Sequence, residues 1–249
     1  MLFSTAQLFP AAVAYYYDEF GLIKVFFNTL LATFLCGFLL YITNSSRKED
    51  LRTKDGFVIT VLFWTVLAIF GSFPFFFAED INISYVDSLF ESISGLTTTG
   101  ATVLTGLDEL PRSILFYRQL LQWLGGMGII VLAVAVLPLL GIGGMQLYKA
   151  ETPGPLKDAK LTPRIKETAK ALWYVYLTMT ILCAAFYKFF GMTTYDAICH
   201  SFSTVSIGGF STHDESFGFF SQSSIRWTAV FFMIIAGINF GLHYIAWSK

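Results

Sequence analysis

The sequence predicts an all-α integral membrane protein built around an ion path, and three observations predict it. The first is composition: 55% of the 249 residues are hydrophobic and only 13% are charged, against about 25% charged in soluble domains. The second is a series of windows, 25–43, 57–77, 119–148 and 227–247, that hold no Asp, Glu, Lys or Arg. Each exceeds the ~18 residues that mark a transmembrane candidate. The third is an internal repeat. The stretch 87–100 (DSLFESISGLTTTG) aligns without a gap onto 196–209 (DAICHSFSTVSIGG), 109 residues later. Asp87 falls on Asp196, Ser92 on Ser201, Ser94 on Ser203 and Gly100 on Gly209. Each copy runs a short helix pattern into a hydroxyl- and Gly-rich turn between two hydrophobic segments. Half-spanning hairpins of this kind can line a water-filled path with backbone carbonyls.

The elements follow in order. Residues 1–17 lack a basic leader and carry Pro10 mid-stretch, so they do not read as a cleavable signal. They are marginal for a full crossing and read as the remainder of a longer helix. With the span at 25–43 they form an N-terminal helix pair, residues 1–45. The first span–hairpin–span unit covers 46–160, with spans at 57–77 and 119–148. The second of these spans would be about 45 Å long if straight. It should therefore tilt, bend near Pro138 or end at the glycines of 141–144. The run 151–155 (ETPGP) breaks the chain before the second unit, 161–249. There the span 171–187 is slightly short but is followed by Lys188, whose stem can snorkel.

Loop charge orients these spans. Loop 44–56 holds Arg47, Lys48, Arg52 and Lys54, and loop 149–170 holds Lys149, Lys157, Lys160, Arg164, Lys166 and Lys170. Residues 78–111 and 189–225, which contain the repeats, hold no Lys or Arg. Positive-inside counting then makes both basic loops cytoplasmic and brings both hairpins in from the outside, with Lys24 alone against the scheme. The outer loops carry Glu79, Asp80, Asp87, Glu91, Asp108, Glu109, Asp196, Asp214 and Glu215, expected to enrich cations modestly near the mouth.

The turns suit a dehydrated monovalent cation, which needs several oxygen ligands but no fixed charge to trap it. Glycine reaches the backbone angles that a stack of carbonyls demands. The segment 85–96, about 18 Å long as a helix, covers half a membrane and points the negative end of its dipole at the turn. The second turn, Ser206-Ile-Gly-Gly209-Phe, has the same layout as Thr97-Thr-Thr-Gly100-Ala.

Other features read more plainly. A net charge of −1 implies no attraction to nucleic acid. Cys36, Cys183 and Cys199 read as small apolar packers. Gly125, Gly126, Gly128, Gly141, Gly143 and Gly144 suit close packing better than a gating bend. Asn239 and His243, four apart, would share a face of the last span, lining the path or bonding a neighbour. His200 and His213 are too dispersed from His243 to argue for zinc, and the matches at Asn44 and Asn82 to a glycosylation pattern are ordinary chance. No nucleophile–base set, metal spacing or cofactor motif suggests an enzyme.

The stretches 55–67, 90–102, 115–128, 144–151, 153–158 and 207–214 together resemble the membrane subunit of bacterial Trk potassium-uptake systems, the TrkH family within the Trk/Ktr/HKT superfamily. The resemblance covers nearly the whole chain. It implies four non-identical span–pore-helix–span repeats around one potassium path in the bacterial inner membrane, of which this chain carries two, the N-terminal half. It further implies that potassium is coordinated by the carbonyls of Thr97, Thr98, Thr99 and Gly100, and of Ser206, Ile207, Gly208 and Gly209. Potassium is then the transported ion and no other cofactor is expected on this chain. Expected partners are membrane lipid, the missing C-terminal half or a second copy, a homodimer of full subunits, and a TrkA-type nucleotide-binding gating subunit facing loop 149–170. Two readings remain open from sequence: a potassium transporter subunit represented by one half, and a truncated, non-conducting membrane fragment that acts through assembly or has no activity alone.

Overall fold

The computed structural model describes residues 1–44, 53–131, 165–238 and 243, and among them all regular structure is helical. Leu2–Thr5 (α1) and Leu8–Tyr16 (α2) are short, and Phe20–Asn44 (α3) and Thr53–Phe77 (α4) are long. Tyr85–Leu96 (α5) is followed by a 3-10 turn, Leu107–Glu109, and by Arg112–Val131 (α6). Ile165–Phe189 (α7), Thr194–Val205 (α8), a second 3-10 turn at Ser216–Phe219 and Ser223–Gly237 (α9) complete the order. Among the described residues, parts of three helices are long and apolar enough to cross a membrane: Phe20–Thr43, Thr60–Phe77 and Lys170–Phe189.

Two expectations about spans change. The uncharged window beginning at 119 is only part of α6, which starts at Arg112 and carries Arg118 inside it, buried. The bend expected near Pro138 or at 141–144 lies outside the described residues, as do most of both basic loops. The final span is interrupted: α9 ends at Gly237, and Ile238 is extended (φ −72°, ψ 138°). His243 therefore does not continue α9. Its ring nitrogen Nε2 lies 2.9 Å from the Ile235 carbonyl, while Asn239 lies outside the described residues.

α5 and α8 pack inside out. α5 buries Ser88, Glu91, Ser92 and Ser94 and exposes Val86, Phe90 and Ile93. Its hydroxyls need partners there, since a buried polar group without a hydrogen bond is costly. Ser92 supplies one by donating to the Ala68 carbonyl of α4 at 2.8 Å. On the other side, α6 lies against both α5 and α8. Tyr117 of α6 donates to the Gly71 carbonyl of α4 (2.9 Å), and Tyr176 of α7 donates to the Trp123 carbonyl of α6 (3.0 Å). The central position of α6 is what allows one helix to touch both turns.

The N-terminal helices are locked to this centre by a remote cap. Glu19, which precedes α3, accepts from the backbone N–H groups of Arg112 (2.7 Å) and Ser113 (3.1 Å) at the start of α6. The first N–H groups of a helix have no partner within it, and a carboxylate there also meets the positive end of the dipole. The Arg112 guanidinium stacks over Tyr17 at 4.6 Å, and Tyr195 of α8 donates to the Arg112 carbonyl at 2.6 Å. We expect Glu19→Ala to lower stability by about 1–2 kcal/mol, as loss of a helix cap does. Thermal unfolding of the detergent-solubilised protein checks this, and an unchanged midpoint would remove Glu19 as a cap.

Candidate ion-coordinating site

Both short helices begin in the same way. Ser84 Oγ accepts from the Asp87 N–H (3.2 Å) and donates to the Asp87 carboxylate (2.7 Å). Thr193 and Asp196 repeat the pair at 3.1 and 2.6 Å. A hydroxyl N-cap answered by an acidic residue three positions on is a sequence-local start signal. Asp87 and Asp196 are therefore held in caps, not displayed as free charge at the mouth.

The helices also end in the same way. The Thr98 N–H donates to the Gly95 carbonyl (3.0 Å) and the Thr99 N–H to the Ser94 carbonyl (2.9 Å), with Thr98 left-handed at φ 55°. In the second copy Ile207 N–H donates to Thr204 (3.1 Å) and Gly208 N–H to Ser203 (2.8 Å), with Ile207 at φ 54°. This is the Schellman arrangement, whose left-handed position is usually glycine. A β-branched residue there is a strained outlier, and such strain clusters at functional sites.

These bonds consume the last helix carbonyls and then stop. Among the described residues, no hydrogen bond ends on a carbonyl oxygen of Thr97, Thr98, Thr99 or Gly100, nor on one of Ser206, Ile207, Gly208 or Gly209. Eight acceptors in two runs of four, without donors among the described residues, depart from ordinary backbone accounting. They are available to water or to a cation.

The two turns lie against each other. A Cβ placed on Gly100 would sit 1.9 Å from the Gly208 carbonyl oxygen, so only glycine fits, and its φ of 76° independently favours glycine. α6 approaches from behind through two glycines. A Cβ on Gly125 would lie 1.9 Å from the Leu96 carbonyl, and one on Gly126 would lie 3.0 Å from Ser206 Cβ. These are packing glycines, as their spacing implied. Gln122, one turn earlier on α6, accepts from the Phe210 N–H at 3.2 Å and fills the space beside Gly208.

Similarity to known proteins places the chain in a family. The model of the TrkH cation transport protein family matches residues 22–249. The chain is 58% identical over its whole length to the Trk system potassium uptake protein TrkH of Vibrio parahaemolyticus, covering 51% of that protein. It is 47% identical to TrkG of Escherichia coli K12, covering all of this chain and 51% of TrkG. The crystal structure of the potassium transporter TrkH from V. parahaemolyticus superposes with a TM-score of 0.86 at 54% identity, over 99% of this chain and 49% of that one. The chain belongs to the TrkH family. It spans about half the length of the curated relatives it matches. TrkH proteins are membrane-embedded cation transporters, not enzymes.

Behind the turns of this TrkH chain, two side-chain links recur at the repeat offset, and sequence reading missed both. Glu91 accepts from Thr102 Oγ1 (2.9 Å), whose oxygen in turn accepts from the Leu104 N–H (3.1 Å). In the second copy the corresponding residues are His200 and Ser211. His200 Nε2 meets Ser211 Oγ at 3.0 Å, and that oxygen accepts from the His213 N–H at 3.1 Å. The Glu91 carboxylate is fully buried and needs a cation, which Arg118 of α6 supplies at 2.6 Å. The imidazole of His200 needs none. The signal available in the sequence was the matched 91/200 and 102/211 positions, obscured because the residue types differ.

The count of acids at the mouth is thereby corrected. Glu91 is neutralised by Arg118, and Asp87 and Asp196 serve caps. Asp108 pairs with the His213 ring and accepts from the Asp214 N–H at 3.3 Å, tying the two outer loops together. The hydrogen bond from His213 holds the Asp108 carboxyl below its ordinary value, with slight burial opposing. Its folded value is the lower one, so this tie is complete above the ordinary aspartate range of about 3.9 and is lost as pH falls through the depressed value. Glu79, Asp80, Glu109, Asp214 and Glu215 remain exposed. His213 also stacks on Phe219 at 3.5 Å and lies 6.4 Å from the His200 ring.

Proposed function

We propose that this chain supplies two filter segments of a potassium-uptake pore in a bacterial inner membrane, with the carbonyls of Thr97–Gly100 and Ser206–Gly209 facing the ion. The single observation that carries this reading is the set of eight carbonyls without donors among the described residues, displayed after matched helix ends. Residues 1–45 form the flanking helix pair, and 46–160 and 161–249 form two pore repeats. The hairpins enter from outside and loops 44–56 and 149–170 face the cytoplasm. There the second loop meets a TrkA-type nucleotide-binding subunit.

The open side of the second turn supports the need for further segments. A Cβ on Gly100 would strike Gly208, whereas one on Gly209 would meet nothing within 4 Å among the described residues. The neighbour that closes Gly209 is a third segment, from a C-terminal half of the subunit, and full subunits pair as homodimers. Potassium enters down its electrochemical gradient, favoured by about 2.3 kcal/mol per charge for each 100 mV of inside-negative potential.

Growth rescue of a potassium-uptake-deficient bacterium on low potassium tests this. The chain is expressed alone and together with a C-terminal half from a TrkH relative, beside Gly100→Ser and Gly209→Ser versions, with membrane insertion verified. Rescue with the second half, abolished by either glycine change, is the expected result. Rescue by the chain alone, lost in both glycine variants, would mean that two copies complete the pore. No rescue despite insertion would overturn the reading in favour of a non-conducting membrane protein.

A further inference from the structure

We infer that Arg118 is a positioning residue that holds the two filter turns in register with each other. Its guanidinium is fully buried and touches both hairpins. Toward the first, Nε donates to Glu91 Oε1 at 2.6 Å and Nη2 to Thr102 Oγ1 at 3.0 Å. Toward the second, Nη1 donates to the Ser211 carbonyl at 3.1 Å, and the cationic plane lies 4.2 Å from the Phe210 ring centroid. Thr102 and Ser211 each lie two residues beyond their turn's glycine, at equivalent repeat positions. One rigid planar group therefore fixes the exit of one turn against the exit of the other.

The chemistry requires arginine. The guanidinium presents donors in a fixed fork, so three bonds in three directions set a distance as well as a charge. A lysine at the same place would keep the charge beside Glu91, but its ammonium is a compact point charge on a flexible stem and would not span to Ser211. Glu91 fixes the orientation of the fork and carries no ion itself, since its carboxylate accepts from Thr102 Oγ1, the Val103 N–H and Arg118. Carbonyl filters discriminate ions by the number and placement of their oxygens. A register shift between segments should therefore change selectivity before it abolishes passage.

This inference rests on the pore reading for its selectivity consequence but not for its structural one, and the test separates the two. Amide hydrogen exchange is measured on the 249-residue chain in lipid nanodiscs, unsubstituted and as Arg118→Lys, with Thr97→Val as a variant whose lost hydroxyl bonds lie within the first hairpin. In Arg118→Lys, exchange over both 97–107 and 206–214 should rise about tenfold or more, whereas Thr97→Val should affect 97–107 alone. Acceleration of only the first stretch in Arg118→Lys, or of neither, would overturn the inference, whatever the ion transported. If Arg118→Lys fails to fold, the doubly neutral Glu91→Gln/Arg118→Gln protein gives the same readout, with the same expected and overturning patterns. In potassium and sodium flux measurements on the chain expressed with the C-terminal half, Arg118→Lys should lower the potassium-over-sodium ratio about tenfold while leaving total uptake within about threefold. A merely structural role would lower the uptake of both ions together with the ratio intact, and that result would also overturn the positioning role. If the unsubstituted chain expressed with the C-terminal half moves neither ion, the pore reading is refuted and the exchange result decides for Arg118.

Discussion

Gly100→Ala is expected to destabilise the protein far more than Gly209→Ala, although the two glycines occupy equivalent places in the repeat. Both have positive φ, 76° and 86°, so both substitutions incur a left-handed penalty of about 1–2 kcal/mol. Among the described residues Gly100 alone of the two faces backbone: its added Cβ would stand 1.9 Å from the Gly208 carbonyl oxygen, while that of Gly209 meets nothing within 4 Å. Relieving the first clash means moving one turn off the other, and overpacking of this kind costs about 1–3 kcal/mol more. The unfolding midpoint of the purified chain should fall clearly for Gly100→Ala and only slightly for Gly209→Ala. Equal shifts would mean that the contact between the turns contributes nothing. In the complete pore the difference should narrow, because a third segment would crowd Gly209.

The second large effect is expected at Glu91. Glu91→Leu leaves the Arg118 guanidinium buried without its carboxylate, a change that costs about 3–5 kcal/mol when one partner of a buried pair is removed. Glu91→Leu combined with Arg118→Met should recover most of that loss, since well-packed apolar replacements of buried ion pairs are often neutral. Unfolding of the two variants in detergent checks the pattern. A double variant as unstable as the single would show that the stabilisation resides in packing around Glu91, not in the charge pair.

Local signals carried most of the fold. Ser84 and Asp87, and Thr193 and Asp196, are capping pairs readable within four residues, and the small-residue turns mark where each helix stops, so 85–96 was correct to the residue. The spacing of Gly125 and Gly126 likewise announced a close approach, though the partner, the ends of α5 and α8, is a tertiary fact. Arg118 was invisible for a physical reason. Counting charge-free windows treats an arginine as the edge of a span, whereas here a carboxylate 27 residues earlier lets the helix carry the charge through its interior. The same logic assigned Glu91 to the aqueous mouth. α9 illustrates the opposite failure: an uninterrupted apolar run reads as one helix, but apolarity says nothing of where Gly237 ends it.

The placement of Arg118 also has a consequence for biosynthesis. Glu91, Thr102 and Arg118 are separated by at most 27 residues, whereas Phe210 and Ser211 are made about 90 residues later. As the ribosome delivers the chain in order, the first hairpin can close on α6 and satisfy its buried charge before the second hairpin exists. The later turn can then dock onto that template, so the vectorial order of translation can set the order in which the two turns come together.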